Sequence, residues 1–211
     1  MDTDRVKICG ITRLEDAQLA AELGAWAVGM VFHPSSPRRC PLAEAELIGA
    51  ALHRRVEVAG VFVNTPLGEI ARVAEHVGLT LVQLHGDEGP AFCQEVARRT
   101  GARTIKAAPV QGAFTLHDLA RFHTDFHLLD GHGGERRGGT GESFDWSLVA
   151  RRRSRVPLIV AGGLDAGNVG EAIAATHPYA VDVASGVESA PGVKDPERMR
   201  AFIDEVRAVA V

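Results

Sequence analysis

Hydrophobic positions along the chain fall into two alternating patterns. Short runs of four to six residues, rich in Val, Ile, Leu and Phe, are separated by longer stretches whose apolar residues recur three or four apart. The short runs predict strands at Arg5–Cys9, Ala27–Phe32, Glu57–Phe62, Thr80–Leu84, Arg103–Ala107, Phe126–Asp130, Leu158–Ala161 and Ala180–Val183. The longer stretches predict helices at Leu14–Leu23, Leu42–Leu52, Leu67–His76, Pro90–Arg99, Leu116–Arg121, Trp146–Arg152, Val169–Ala175 and Pro196–Val209.

Local chemistry marks several boundaries. Thr12, with Glu15 three residues on, has the spacing of a capping box at the start of the first helix. Gly24, Gly78 and Gly101 follow helical runs, where a left-handed residue ends a helix at least cost to glycine. Pro41, Pro66, Pro90 and Pro196 stand at helix starts, where a missing N–H does little harm. Strict strand–helix alternation fits either an open doubly wound sheet or a closed barrel, and eight of each favours closure. The expected fold is α/β, a single (β/α)8 TIM barrel spanning residues 1–211, with no linker or repeat to suggest a second domain.

Composition narrows the function. No apolar run approaches the roughly 18–20 residues of a membrane-spanning helix, and the start of the chain lacks the pattern of a signal peptide, so a cytoplasmic protein with no membrane partner is expected. Twenty-three basic against 27 acidic side chains give no positive field for nucleic acid. The cluster Arg151-Arg152-Arg153 with Arg155 reads as a solvated helix end. Cys9, Cys40 and Cys93 form no C-x-x-C pair, which fits free thiols in a reducing compartment, and no His or Cys spacing suggests a metal.

In a parallel barrel the chemistry sits at the carboxyl ends of the strands. Those ends carry Cys9, the Ser35–Arg39 loop, Asn64, Gln83 with His85, Lys106, Asp130, Gly162-Gly163, and Asp182 followed by Ser185-Gly186. The segments Ala161-Gly162-Gly163-Leu164 and Ala184-Ser185-Gly186-Val187 follow strands 7 and 8, where backbone N–H groups and a short extra helix commonly bind phosphate. Residues 131–141 hold six glycines and directly follow Asp130, which marks them as a mobile active-site loop. Cys9 is either a buried filler or a thiolate at the barrel mouth. Asp130 either pairs with a cation or transfers protons, and the two together suit acid–base chemistry on a phosphorylated sugar. No nucleotide-binding signature is present, and no cofactor is expected.

The ordered set of these segments resembles the phosphoribosylanthranilate isomerase family of tryptophan biosynthesis. The matching residues are Val6-Lys7-Ile8-Cys9-Gly10-Ile11-Thr12, Gly29-Met30-Val31-Phe32 with Ser36-Pro37-Arg38, Gly60-Val61-Phe62-Val63-Asn64, and Val82-Gln83-Leu84-His85-Gly86. They continue with Leu128-Leu129-Asp130, Gly138-Gly139-Thr140-Gly141, Phe144-Asp145-Trp146, Ala161-Gly162-Gly163-Leu164, Val181-Asp182-Val183 and Ser185-Gly186-Val187-Glu188. The resemblance implies a small-molecule substrate, N-(5-phosphoribosyl)anthranilate, and its Amadori rearrangement to the 1-deoxyribulose 5-phosphate. It implies Asp130 as general acid at the ring oxygen and Cys9 as general base at C2. It assigns the anthranilate carboxylate to Arg38, with Arg39 beside it as the rival. Gly162, Gly163, Ser185 and Gly186 go to the phosphate and Asp182 to the sugar or amine region. Gln83 and His85 either touch substrate, or orient Cys9 or satisfy buried backbone groups.

Two departures accompany the match: Ala184 stands where relatives carry Ser, and the loop around His132 and Arg136-Arg137 matches in length only. The rival readings are a histidine-pathway or dual-substrate phosphoribosyl isomerase, and a non-catalytic barrel that binds a phosphorylated ligand. The first would carry a carboxylate where this chain has Cys9. The state of assembly is left open between monomer and homodimer. At about 26 residues per strand–helix unit the chain is shorter than the roughly 250 residues typical of this fold, so few insertions are expected.

Overall fold

The computed structural model describes residues 4–110, 117–131, 149, 152 and 154–209. Eight parallel strands close into a barrel in sequence order: β1 (Val6–Cys9), β2 (Ala27–Val31), β3 (Glu57–Phe62), β4 (Leu81–Leu84), β5 (Arg103–Pro109), β6 (Phe126–Asp130), β7 (Leu158–Ala161) and β8 (Ala180–Val183). The seam is the β1–β8 pairing, with Lys7 opposite Asp182. Outside the barrel lie α1 (Leu14–Glu22), α2 (Leu42–Leu52), α3 (Leu67–Val77), α4 (Pro90–Thr100), α5 (Val169–Thr176) and α6 (Pro196–Val209). The predicted helices at Leu116–Arg121 and Trp146–Arg152, and the glycine loop beyond Gly131, lie mainly outside the described residues. Within them residues 117–119 are helical.

Strand periodicity sorts the core into two layers. Ala27, Ala59, Leu81, Ile105, Ala107, Phe126, Leu128, Ile159, Ala161 and Ala180 fill the inside of the barrel. Their neighbours of opposite parity, such as Ile8, Val28, Met30, Val82, Leu84, Leu129 and Val160, pack against the helices. Because successive side chains of a strand point to opposite faces, Lys7, Cys9, Gln83, Asp130 and Asp182 share the inner face with the first set. The site is therefore the polar top layer of the barrel interior.

Three expectations are corrected. Thr12 does not cap α1: Arg13 is the N-cap residue, with no side-chain capping bond, and Thr12 Oγ1 donates instead to the Gly192 carbonyl at 2.5 Å. The first helical N–H, that of Leu14, is satisfied from the neighbouring helix by Glu44 Oε1 at 2.8 Å. Lys106 does not face the barrel mouth. It has the parity of the outer layer, and its Nζ donates to the Gly86 carbonyl (2.6 Å) and to Glu88 (2.8 Å). Arg152 is half-buried rather than solvated and donates to the Val156 carbonyl. After β8 the chain forms further structure of its own. A 3₁₀ turn at Ser185–Val187 leads into a two-stranded hairpin, β9 (Glu188–Ala190) and β10 (Val193–Lys194), before α6.

Candidate active site

Asp130, Ala161, Gly162, Gly163, Leu164, Asp182, Val183, Ala184 and Ser185 line one cavity of about 80 Å³ at the carboxyl ends of β6, β7 and β8. At ~30 Å³ per water it has room for a group the size of two or three waters. Backbone geometry makes this space. Gly162 and Gly163 both have positive φ (95° and 66°), and a Cβ on Gly162 would lie 2.2 Å from the Gly131 nitrogen and 2.7 Å from Asp130 Oδ1. A Cβ on Gly186 would lie 2.0 Å from the Leu164 carbonyl oxygen. Asn168 braces the floor by donating to the Gly163 carbonyl (2.8 Å) and accepting from Asp165 N–H (2.9 Å). Five of the residues assigned from sequence, Asp130, Gly162, Gly163, Asp182 and Ser185, thus meet at one cavity, while Gly186 packs directly behind it.

Cys9 ends β1 beside that cavity, with 8% of its surface exposed. Gly29, its register partner on β2, leaves it room: a Cβ there would stand 3.0 Å from Cys9 Sγ and 3.1 Å from Lys7 Nζ. Lys7, fully buried two residues earlier on the same inner face, donates to Asp182 Oδ1 at 2.7 Å. So one oxygen of Asp182 is committed to the protein rather than open to a sugar. Burial pushes the Cys9 thiol above its ordinary value, and the nearby cations Lys7 and Lys194 pull against it.

Gln83, His85 and Asp130 form a row of neighbours. Gln83 Nε2 lies 2.9 Å from His85 Nδ1, and His85 Nε2 lies 3.5 Å from Asp130 Oδ2. Gln83 Oε1 is a buried acceptor with no protein partner among the described residues. The turn carrying His85 is pinned below by Glu88, which accepts from Asn64 N–H and Gly86 N–H, both at 2.8 Å.

Arg38 and Arg39 part company. Arg39 is exposed, whereas Arg38 reaches inward past Gly10, where a Cβ would lie 2.7 Å from Arg38 Cδ. Its guanidinium meets Glu188 side-on, Nε at 2.9 Å from Oε1 and Nη2 at 2.7 Å from Oε2. Glu188 also takes a bond from the fully buried Lys194 at 2.9 Å. Burial works against the ionised Glu188, but hydrogen bonds from Arg38 and Lys194 outweigh it and hold its pKa below the ordinary value. Of Arg38's three nitrogens only Nη1 is left without a protein partner among the described residues.

The model of the N-(5'-phosphoribosyl)anthranilate (PRA) isomerase family matches residues 6–205. The chain belongs to this family. It is 47% identical over 204 residues to the N-(5'-phosphoribosyl)anthranilate isomerase of Geobacter metallireducens, covering 97% of this chain and 99% of that one. To the enzyme of the same name from Azotobacter vinelandii it is 48% identical, over 96% and 97% of the two chains. Among solved structures, the phosphoribosyl anthranilate isomerase of Thermotoga maritima superposes with a TM-score of 0.87 at 41% identity, covering 99% of this chain and all of that one. Another phosphoribosyl anthranilate isomerase structure, in complex with reduced 1-(o-carboxyphenylamino)-1-deoxyribulose 5-phosphate, superposes at 0.84 with 40% identity over 99% and 100% of the chains.

Within this PRA isomerase barrel, three buried charges went unread in the sequence. Lys7 was legible in principle, since a lysine two residues before Cys9 on a strand buried on both faces must share its side. Glu188 and Lys194 gave no such signal, because nothing in the sequence told that their segment folds back over the barrel mouth as a hairpin.

Proposed function

We propose that the protein carries out its family's reaction, the rearrangement of N-(5-phosphoribosyl)anthranilate, with Asp130 as acid and Cys9 as base. Asp130 protonates the ring oxygen; the C1–O bond breaks, and the anthranilate nitrogen lone pair forms a C1=N iminium. The Cys9 thiolate then removes the C2 proton. The C–H electron pair becomes the C1=C2 bond, and the iminium pair returns to nitrogen. The resulting enolamine loses its hydroxyl proton and gains one at C1, giving the C2 ketone. These are proton transfers within one substrate, worth about 10²–10⁴ in rate for each well-placed group.

The observation that carries this reading is the sharing of one small cavity by Asp130 and the glycine cradle Gly162, Gly163 and Ser185, with Cys9 at the adjoining strand end. Phosphate at the cradle tethers the sugar, so that ring opening and C2 deprotonation fall between Asp130 and Cys9. The partnerless Oε1 of Gln83 suits a sugar hydroxyl, because an unpaired buried acceptor is costly until a ligand donates to it. Arg38, steadied by Glu188, presents Nη1 to the anthranilate carboxylate. Among the described residues no helix is long and apolar enough to cross a membrane, and soluble phosphorylated substrates go with a cytoplasmic place of work. Purified protein should quench the fluorescence of N-(5-phosphoribosyl)anthranilate without added nucleotide. Cys9→Ala and Asp130→Asn should each lower kcat by 10² or more; unchanged rates in both would refute these roles.

A further inference from the structure

Beneath the proposed base lies a charged group that the reaction scheme does not use. Lys7 has no exposed surface, and an ammonium in such a place is tolerated only when paired and hydrogen-bonded. Asp182 supplies one partner at 2.7 Å across the β1–β8 seam. The other neighbour is Cys9: its sulfur and Lys7 Nζ both border the space that Gly29 leaves empty, 3.0 and 3.1 Å from where a Cβ there would stand.

The surroundings of Cys9 also carry an imbalance. Lys7 from β1, Lys194 from β10 and Arg38 from the loop after β2 bring three positive charges toward it, against the two carboxylates Asp182 and Glu188. A thiolate at Cys9 closes that account, whereas a thiol leaves one cation in excess in a mostly buried region.

We propose that Lys7, clamped by Asp182, is a positioning residue that makes the Cys9 proton removable, so that Lys7, Asp182 and Cys9 act as one charge unit across the closing seam of the barrel. The proposal rests on the reading of Cys9 as the base and adds the group that permits it. Burial raises the cost of the thiolate; Lys7 lowers it, Asp182 raises it again and Lys194 lowers it. Lys7 and Asp182 therefore push Cys9 in opposite directions, which gives the proposal a signature that loosened packing does not share.

The test is the rate of Cys9 alkylation by iodoacetamide against pH, resolved by peptide mass spectrometry, in the unliganded protein. The thiolate attacks the methylene carbon and iodide leaves, so the rate follows the ionised fraction. Cys40 and Cys93, at 2% and 1% exposure, report unfolding if they react. In Lys7→Met, Cys9 alkylation at pH 8 should fall at least ten-fold and its inflection move to higher pH. In Asp182→Asn, which frees the lysine charge for the sulfur, the inflection should move lower and the rate at pH 8 rise several-fold. Should Lys7→Met expose Cys40 and Cys93, Asp182→Asn alone decides by the direction of its shift. An unmoved inflection, or shifts of the same sign in both variants, overturns the proposal. Alkylation needs no turnover, so a Cys9→Ala variant that still isomerises would remove the base assignment and leave the charge unit standing.

Discussion

At Gly29 a single hydrogen atom in place of a side chain sets the spacing of the site. The sequence reading passed over it, because glycine in a strand interior usually signals a weak point or a close approach. Here the close approach is by Cys9 Sγ and Lys7 Nζ, each about 3 Å from where a Cβ would stand. Its φ is not positive, so the constraint is space rather than backbone conformation. Overpacking of this kind costs about 1–3 kcal/mol, and the atoms that must yield are the thiol and the ammonium. Gly29→Ala is expected to lower kcat more than KM, with a loss of about that size in urea-denaturation stability. Activity at the wild-type level would show that the pair has slack there. Cys9, Asp130 and the cradle glycines stand out in the sequence because their strand-end positions announce them, and the structure places Asp130, Gly162 and Gly163 at one cavity. The neighbours of Gln83, His85 and Asp182 were not legible, since they depend on which groups of other strands those residues face.

Among the elements, the eight strands were legible almost to the residue, since runs such as Val58–Phe62 and Leu128–Leu129 admit little else. Their parity was there to be read but was not used, which is why Lys106 was set at the barrel mouth beside Gln83. The β9–β10 hairpin escaped because it is five residues of strand with neither alternation nor an apolar run, around the turn at Pro191-Gly192. It is held by charge instead: Lys194 Nζ donates to the Ala184 carbonyl at 3.0 Å, Lys194 N–H to Asp16 at 3.1 Å, and Glu188 ties Arg38 to Lys194. Removing one partner of a buried pair leaves the others uncompensated, at a cost of about 3–5 kcal/mol. Glu188→Gln keeps the shape and lowers that cost, yet it takes the charge from between two cations. The expected result is a raised KM for N-(5-phosphoribosyl)anthranilate with a smaller change in kcat, as Arg38 loses its side-on support. A KM equal to that of the wild type would show that Arg38 holds its place without the hairpin.

The whole molecule depends on closure. Joining β8 to β1 removes both sheet edges and brings Lys7 against Asp182, 175 positions away in sequence. It also makes stability depend on acid. Burial opposes the charged Glu88, but the bond and charge of Lys106 and backbone bonds from Asn64 and from Glu88 itself outweigh it, so its folded pKa lies below the ordinary value. Glu188 is shifted the same way. A depressed folded pKa gives stability that is whole above the ordinary value and lost as pH falls through the folded one. Buried His127, its pKa lowered first of all by desolvation, adds a decline that starts below its ordinary 6.5. Thermal melts should therefore show Tm falling gently below pH 6.5 and steeply below 4.5. Glu88→Gln should melt lower than the wild type at pH 7, and the gap should narrow toward pH 3; a gap constant with pH would mean that Glu88 acts by shape alone.

The sequence by itself determined the alternation of strands and helices, the count that closes the barrel, the glycines at the ends of β7 and β8, and the thiol and carboxyl at the ends of β1 and β6. All of these are local, since periodicity, turn chemistry and position along a strand are written in neighbouring residues. Only the tertiary structure decided the pairings: Lys7 with Asp182, Arg38 with Glu188 and Lys194, Gln83 with His85, and Glu88 beneath Asn64 and Gly86. Each joins groups brought together by barrel closure or by a fold of the chain over the barrel mouth. The energy of a buried charge depends on which partner stands within 3 Å of it, and spacing along the chain does not specify that.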